Sequence, residues 1–290
     1  MRGVYTSGVL EAFDEAGLCF DSIVACSAGA CAAASYLAGQ AWRNRRVYLD
    51  FLDGKKLVRF SRLLTGGNVM DIDYFIDDVT LRLCPLDLNA LGASESRLHI
   101  AVTDWKTGEA RYLNNHQDDL LTALRATCAL PLFYRSEVRY QGRRYVDGGV
   151  ADPIPVARAL ELGATEVVVV LTSSIETRGK RKLRLPGTER LFSSSPALRR
   201  ALRERHLRYR DAANVLEAPP EGVTIRVVRP TRALPVKRTT TDRELLEQGC
   251  DLGKHDGKRS LRVTLSARPT NARSFRLAFC RSRDNQSREY

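Results

Sequence analysis

The sequence predicts an α/β fold of three layers, with a mainly parallel central sheet covered by helices on both faces. Three observations carry that reading. Apolar runs of strand length alternate with longer segments whose apolar residues recur at helical spacing. The run 167–171 is apolar throughout, as a strand covered on both faces must be. Hydrophobic residues make up 43% of the 290, enough to bury one large core.

Each element follows from its own pattern. Residues 4–16 set Val4, Val9, Leu10 and Phe13 on one helical face and end at Gly17. A short buried strand is expected over 20–26, then a helix of small residues over 28–37 ended by Gly39, and another helix over 41–52. The stretch 53–96 is mixed, broken by Gly66, Gly67 and Pro85. Residues 98–103 read as a strand that turns through 104–108 towards a partner at 110–113. A helix over 117–127 precedes Pro131, and residues 137–140 and 143–146 alternate about Gln141-Gly142 as a hairpin does. Asp152 is the expected N-cap of a helix over 153–162 that Gly163 closes. After the strand at 167–171 come a long basic amphipathic helix over 196–216, a strand over 223–228 and a closing helix over 241–253. From Lys254 the pattern gives way to Arg, Ser and Thr, which predicts a disordered tail over 254–290. One domain is therefore expected over 1–253. Its catalytic core spans 1–173, and 174–253 adds the basic helical segment with the closing strand and helix.

The net charge of +12 is unevenly placed. Residues 178–210 hold twelve Lys/Arg against Glu189 and Glu204, and residues 254–290 hold ten against Asp256, Asp284 and Glu289, so the rest of the chain is net acidic. Such segments attract anionic surfaces, lipid headgroups or nucleic acid. The basic stretches lack interleaved aromatics and match no recognition motif, which argues against a specific nucleic-acid partner. The longest mostly apolar stretch, 23–37, is interrupted by Ser27 and falls short of the roughly 18 residues a membrane span needs. The N-terminus lacks the basic-then-apolar layout of a signal peptide. Seven cysteines (Cys19, Cys26, Cys31, Cys84, Cys128, Cys250, Cys280) without metal-ligand spacing read as reduced thiols of a cytosolic protein. No metal and no cofactor are expected.

The sharpest local signal is strand, then Ala25-Cys26-Ser27-Ala28-Gly29, then helix. This is the small-x-Ser-x-small nucleophile elbow, with Ala25 in place of the usual first glycine. The turn from strand to helix is tight, so its flanking residues are small. The hydroxyl projects at a helix N-terminus, whose dipole and free N–H groups favour a developing oxyanion, and the Ala28 N–H is the natural donor. A serine nucleophile needs a base. His206 and His255 lie in the basic segments, and neither His99 nor His116 has an evident acid partner, so a histidine triad is poorly supported. The alternative is Asp147, at a strand end and followed by Gly148 and Gly149, which let the backbone approach a neighbour closely.

Ser-x-Gly after a strand and Asp-Gly-Gly 120 residues later resemble the Ser–Asp dyad of the patatin-like phospholipases, most closely the bacterial type. Three further stretches are similar to that family. They are residues 1–10, the Thr103-Asp104-Trp105-Lys106-Thr107-Gly108 strand end, and the small-residue run Ala126-Thr127-Cys128-Ala129-Leu130-Pro131. The resemblance covers 1–253. It implies a lipid acyl ester substrate met at a membrane surface and no metal. Ser27 would be the nucleophile and Asp147 its base, and the acyl-enzyme would be released by water. It gives Arg2 and Gly3 a role in stabilising the oxyanion or bracing its loop. By that resemblance, Met1, Arg2 and Gly3 are the end of the family's Gly-rich oxyanion run, whose leading glycines and preceding first strand are missing from this sequence through a wrongly assigned start or a true truncation, so an interrupted sheet is expected. Two readings follow: a lipid acyl hydrolase of cytoplasmic, membrane-peripheral location, with residues 178–210 touching anionic headgroups, or an inactive relative that binds lipid or a partner.

Overall fold

The computed structural model describes residues 1–52, 57–63, 65–173 and 195–266. The elements run α1 (Val4–Glu15), β1 (Ser22–Cys26), α2 (Ala28–Leu37), α3 (Ala41–Arg46), α4 (Leu88–Gly92), β2 (Arg97–Asp104), β3 (Ala110–Asn114), α5 (Leu120–Cys128), β4 (Val138–Tyr140), β5 (Arg143–Asp147), α6 (Val156–Glu161), β6 (Glu166–Val170), α7 (Pro196–Glu217), β7 (Thr224–Val228) and α8 (Arg243–Ser266). They build a three-layer α/β/α arrangement about a mixed sheet.

The register of β2 organises the molecule. On one edge, β3 pairs antiparallel with residues 99–103. Along the other edge two strands follow one another. β1 runs parallel to residues 97–101 and ends with Cys26 opposite Ala101, and β5 runs antiparallel and ends with Asp147 opposite Val102. Two chain segments that are distant in sequence thus finish at neighbouring points of one strand. The hairpin β4–β5 turns through Gln141 and Gly142, both at positive φ (46° and 72°), as a two-residue hairpin turn requires.

β6 does not hold the central position that its apolar run predicts. It pairs in parallel with β7 in a second, two-stranded sheet, and its side chains are only half-buried. Among the described residues β1 pairs with β2 alone, so the sheet is in two pieces, and α6 packs against a strand of each, β1 and β6.

α1 is buried on nearly every side, from Val4 to Phe13, because α2, α3 and α8 all pack on it. α8 corrects the expectation of disorder from Lys254: the helix runs unbroken to Ser266, with Leu252 and Asp256 buried. The reason is in its glycines. Gly249, Gly253 and Gly257 recur every fourth residue on one face, and α1 lies directly against it. A Cβ on Gly253 would stand 2.0 Å from the Tyr5 carbonyl oxygen, and one on Gly8 1.9 Å from that of Cys250. Asp256 is held at that interface by Tyr5 (3.1 Å) and by the Thr231 hydroxyl (2.9 Å). Residues 267–290 and 178–194, parts of the expected tail and basic segment, lie outside the described residues.

The Asp152 cap also differs. α6 starts at Val156 without a side-chain cap, and Asp152 accepts from the Tyr112 hydroxyl at 2.5 Å. Within the mixed stretch lies a π-type helix, Tyr74–Leu83, followed by α4, which Asp87 caps through the Ala90 N–H (2.8 Å).

Candidate active site

Ser27 stands between β1 and α2 with φ 52° and ψ −135°, a conformation that L residues avoid outside sharp, functional turns. Its Oγ lies 2.8 Å from Asp147 Oδ2. The two residues that the sequence singles out are therefore in hydrogen-bonding contact, and the reason is the register of β2, which stops β1 and β5 one residue apart.

The strained serine is tied down by a residue of α5. The Ser27 N–H donates to Thr127 Oγ1 at 2.7 Å, and that hydroxyl donates to the Ala101 carbonyl at 2.7 Å. Thr127 is wholly buried, so both bonds run in a low-dielectric interior. At the start of α2, Ala28 and Gly29 are the first helical residues, so their N–H groups have no acceptor within the helix.

Asp147 is fixed from several directions. Its N–H donates to the Ala129 carbonyl (3.0 Å), its own carbonyl accepts from Thr103 Oγ1 (2.9 Å), and its Oδ1 accepts from the Gly149 N–H (2.7 Å). Oδ2 is thereby left to Ser27. Gly148 is required by space, since a Cβ there would lie 2.0 Å from the Ala101 carbonyl oxygen. Burial pushes the Asp147 carboxyl above the ordinary carboxylate range, opposed by the hydrogen bonds from Ser27 and Gly149 and by the charges of Arg205 and Arg238. A desolvated carboxylate is a stronger base than one in water, which a serine partner requires.

The remaining expected site residues divide. Gly3 lies against the turn that carries Ser27, where a Cβ on it would be 2.8 Å from that of Ala28. Arg2 does not point at Ser27; its guanidinium donates to the carbonyl of Thr172, just beyond β6. That contact ties the chain just before α1 to the end of β6. Ala25 sits within β1, paired with Ile100, and no packing demand falls on Gly29, whose absent Cβ would meet nothing within 4 Å. The Asp104 side chain builds the turn it opens, accepting from the N–H groups of Lys106 (2.8 Å) and Thr107 (3.1 Å) and pairing with Arg143. His116, His206 and His255 are bonded elsewhere, to Ser94, Arg203 and Asp256, and His99 lies in β2 opposite Asn114.

Three residues of the site, Thr103, Thr127 and Arg205, have no role that the sequence alone assigns. The first two fall inside stretches that resemble family blocks, which is the one signal that could have found them. Arg205 sits in a basic helix and carries none.

Residues 1–160 match the family model described as patatin-like phospholipase, and residues 195–265 match one described as a domain of unknown function. The chain is similar to the uncharacterized protein YjjU of Escherichia coli (strain K12), with 29% identity over 80% of this chain and 66% of that protein. It is also similar to the human patatin-like phospholipase domain-containing protein 4, with 30% identity over 26% of this chain and 30% of that protein. The chain thus spans just under two thirds of the first relative's length and less than a third of the second's. With more than half of its length matched, the chain belongs to the patatin-like phospholipase family.

Proposed function

We propose that this protein hydrolyses the carboxylic acyl esters of lipids through a Ser27–Asp147 dyad. The observation that carries the reading is the 2.8 Å contact between Ser27 Oγ and Asp147 Oδ2 at the end of a strained elbow. In the proposed reaction Ser27 Oγ attacks the acyl carbonyl carbon while its proton passes to Asp147 Oδ2. Negative charge on the former carbonyl oxygen is met by the Ala28 N–H, with Gly3 close beside it and the positive end of α2 behind it. Collapse expels the alcohol, which takes the proton, and leaves an acyl-serine. Water then attacks the acyl carbon, giving its proton to Asp147, and as the second intermediate collapses Asp147 returns that proton to Ser27 Oγ and the fatty acid leaves. The chain's own groups account for each proton.

The substrate would be met at an anionic lipid surface. Arg200, Arg203, Arg208 and Arg210 are exposed on α7, and a cationic helix face of this kind is drawn to anionic headgroups by about 1 kcal/mol per residue. Among the described residues no helix is long and apolar enough to cross a membrane, so contact with lipid would be peripheral.

The experiment is hydrolysis of a short-chain nitrophenyl ester and of phospholipid vesicles by the purified protein and by Ser27→Ala. Abolished hydrolysis in a folded Ser27→Ala protein is expected. A variant as active as the parent would remove the nucleophile and the reading with it.

A further inference from the structure

The segment 195–265, which matches a domain of unknown function, reaches the dyad directly. α7 is capped by Ser195, whose Oγ accepts from the Leu198 N–H at 3.2 Å. Leu198 is fully buried in a small core of its own with Val146 and Val150, and Trp105, Ala201 and Leu202 pack around it. Val146 precedes Asp147 and Val150 follows Gly149, so the helix grips the catalytic turn on both sides. The 104–108 turn also abuts this helix, because a Cβ on Gly108 would lie 2.7 Å from the Ala197 carbonyl oxygen.

Seven residues beyond Leu198, two helical turns along the same face, stands Arg205. Its Nε donates to the carbonyl of Gly149. The N–H of that same glycine is the group that holds Asp147 Oδ1, at 2.7 Å. The next turn of α7 aims the guanidinium: it lies 5.2 Å from the centre of the Tyr209 ring, and Nη2 donates to the Tyr209 hydroxyl at 3.2 Å. Space is tight, for a Cβ on Gly149 would stand 3.5 Å from Arg205 Nη2 and 3.0 Å from Asp147 Oδ1.

We propose that the 195–265 segment is part of the catalytic apparatus, with Arg205 as a positioning residue that holds Gly149 so that Asp147 Oδ1 is occupied and Oδ2 faces Ser27. The proposal rests on the dyad reading and gives the segment of unknown function a defined task in it. The guanidinium charge has a second effect. It favours ionised Asp147 against the burial that opposes ionisation, keeping the base available at lower pH. A lysine in its place keeps the charge but lacks the planar fork.

The test uses the full chain and a soluble short-chain nitrophenyl ester, so that binding to a lipid surface does not enter. Wild type, Ser27→Ala, Arg205→Ala, Arg205→Lys and Arg205→Met are compared in kcat, KM, pH dependence of kcat/KM and thermal unfolding. Arg205→Met keeps the packing of the aliphatic stem and serves if the alanine variant does not fold. Removing the guanidinium is expected to lower kcat roughly 10- to 100-fold with KM little changed, as for a misplaced reacting group. The acid limb of the profile moves to higher pH, because the ionised base has lost a favourable charge. Arg205→Lys restores the position of that limb and part of kcat, and guanidinium ion added to Arg205→Ala raises its rate. If Ser27→Ala is dead but the neutral Arg205 variants keep the parental kcat and acid limb, this proposal falls and the dyad stands. It falls equally if their loss of rate merely tracks loss of folded protein. If Ser27→Ala is fully active, the dyad reading and this proposal fall together.

Discussion

Thr127→Val replaces a buried hydroxyl by a methyl of nearly the same size. It removes two hydrogen bonds of 2.7 Å, one from the Ser27 N–H and one to the Ala101 carbonyl. Each is worth about 0.5–1.5 kcal/mol net, and their buried setting places them in the upper half of that range, giving a loss of about 2–3 kcal/mol. The functional loss follows from backbone strain. Ser27 is held at φ 52°, and a residue in such a region stores roughly 1–3 kcal/mol that the surroundings must counter. Without the Thr127 tether the turn can relax, moving Oγ off Asp147, and a displacement near 1 Å costs up to about 100-fold in rate. Denaturant unfolding measures the first effect and ester hydrolysis the second, with Thr127→Ser as the control that keeps the hydroxyl. A Thr127→Val protein within about 0.5 kcal/mol of wild type and equally active would refute the argument that Thr127 holds the elbow.

Three further outcomes are expected. Asp147 is raised above its ordinary value by burial. Its ionisation therefore opposes folding: stability is fullest below the carboxylate's unfolded pKa and falls as pH rises through the higher folded one. Asp147→Asn should accordingly be more stable than wild type at neutral pH, with the difference shrinking in acid. In wild type kcat/KM should fall on acidification with a midpoint above the usual carboxylate range. Equal stability of the two proteins at all pH values would contradict this. Gly253→Ala would push α8 off α1, since its Cβ would stand 2.0 Å from the Tyr5 carbonyl oxygen. Overpacking of this kind costs about 1–3 kcal/mol or more, read as a lowered melting temperature. Iodoacetamide should alkylate exposed Cys19 well before Cys250, which is buried and whose thiol is pushed up to about 12 by that burial; mass mapping of the native protein decides.

The chemistry of the site was more legible than its support. Ser27 and Asp147 announce themselves because an elbow and an Asp-Gly-Gly turn each need particular residue types within a few positions. Arg205 and Thr127 act across the fold, and nothing in a basic helix or a small-residue run says which backbone group its side chain will meet. The same limit explains α8. The Arg, Ser and Thr after Lys254 read locally as a disordered tail, yet Gly249, Gly253 and Gly257 give α1 room against this helix, so it continues to Ser266. It also explains β6: a run of valines fits a central strand, but strand order depends on partners elsewhere in the chain, and here the partner is β7.

The central claim is that Ser27 is a nucleophile activated by Asp147. Labelling the purified protein with a fluorophosphonate probe, followed by mass mapping of the modified peptide, tests it most directly, since the probe reacts with an activated serine. Label is predicted on Ser27, and its loss is predicted in Asp147→Asn while that variant remains folded. A folded wild-type protein that takes no label at Ser27, or an Asp147→Asn variant that labels as fast as wild type, would contradict the claim.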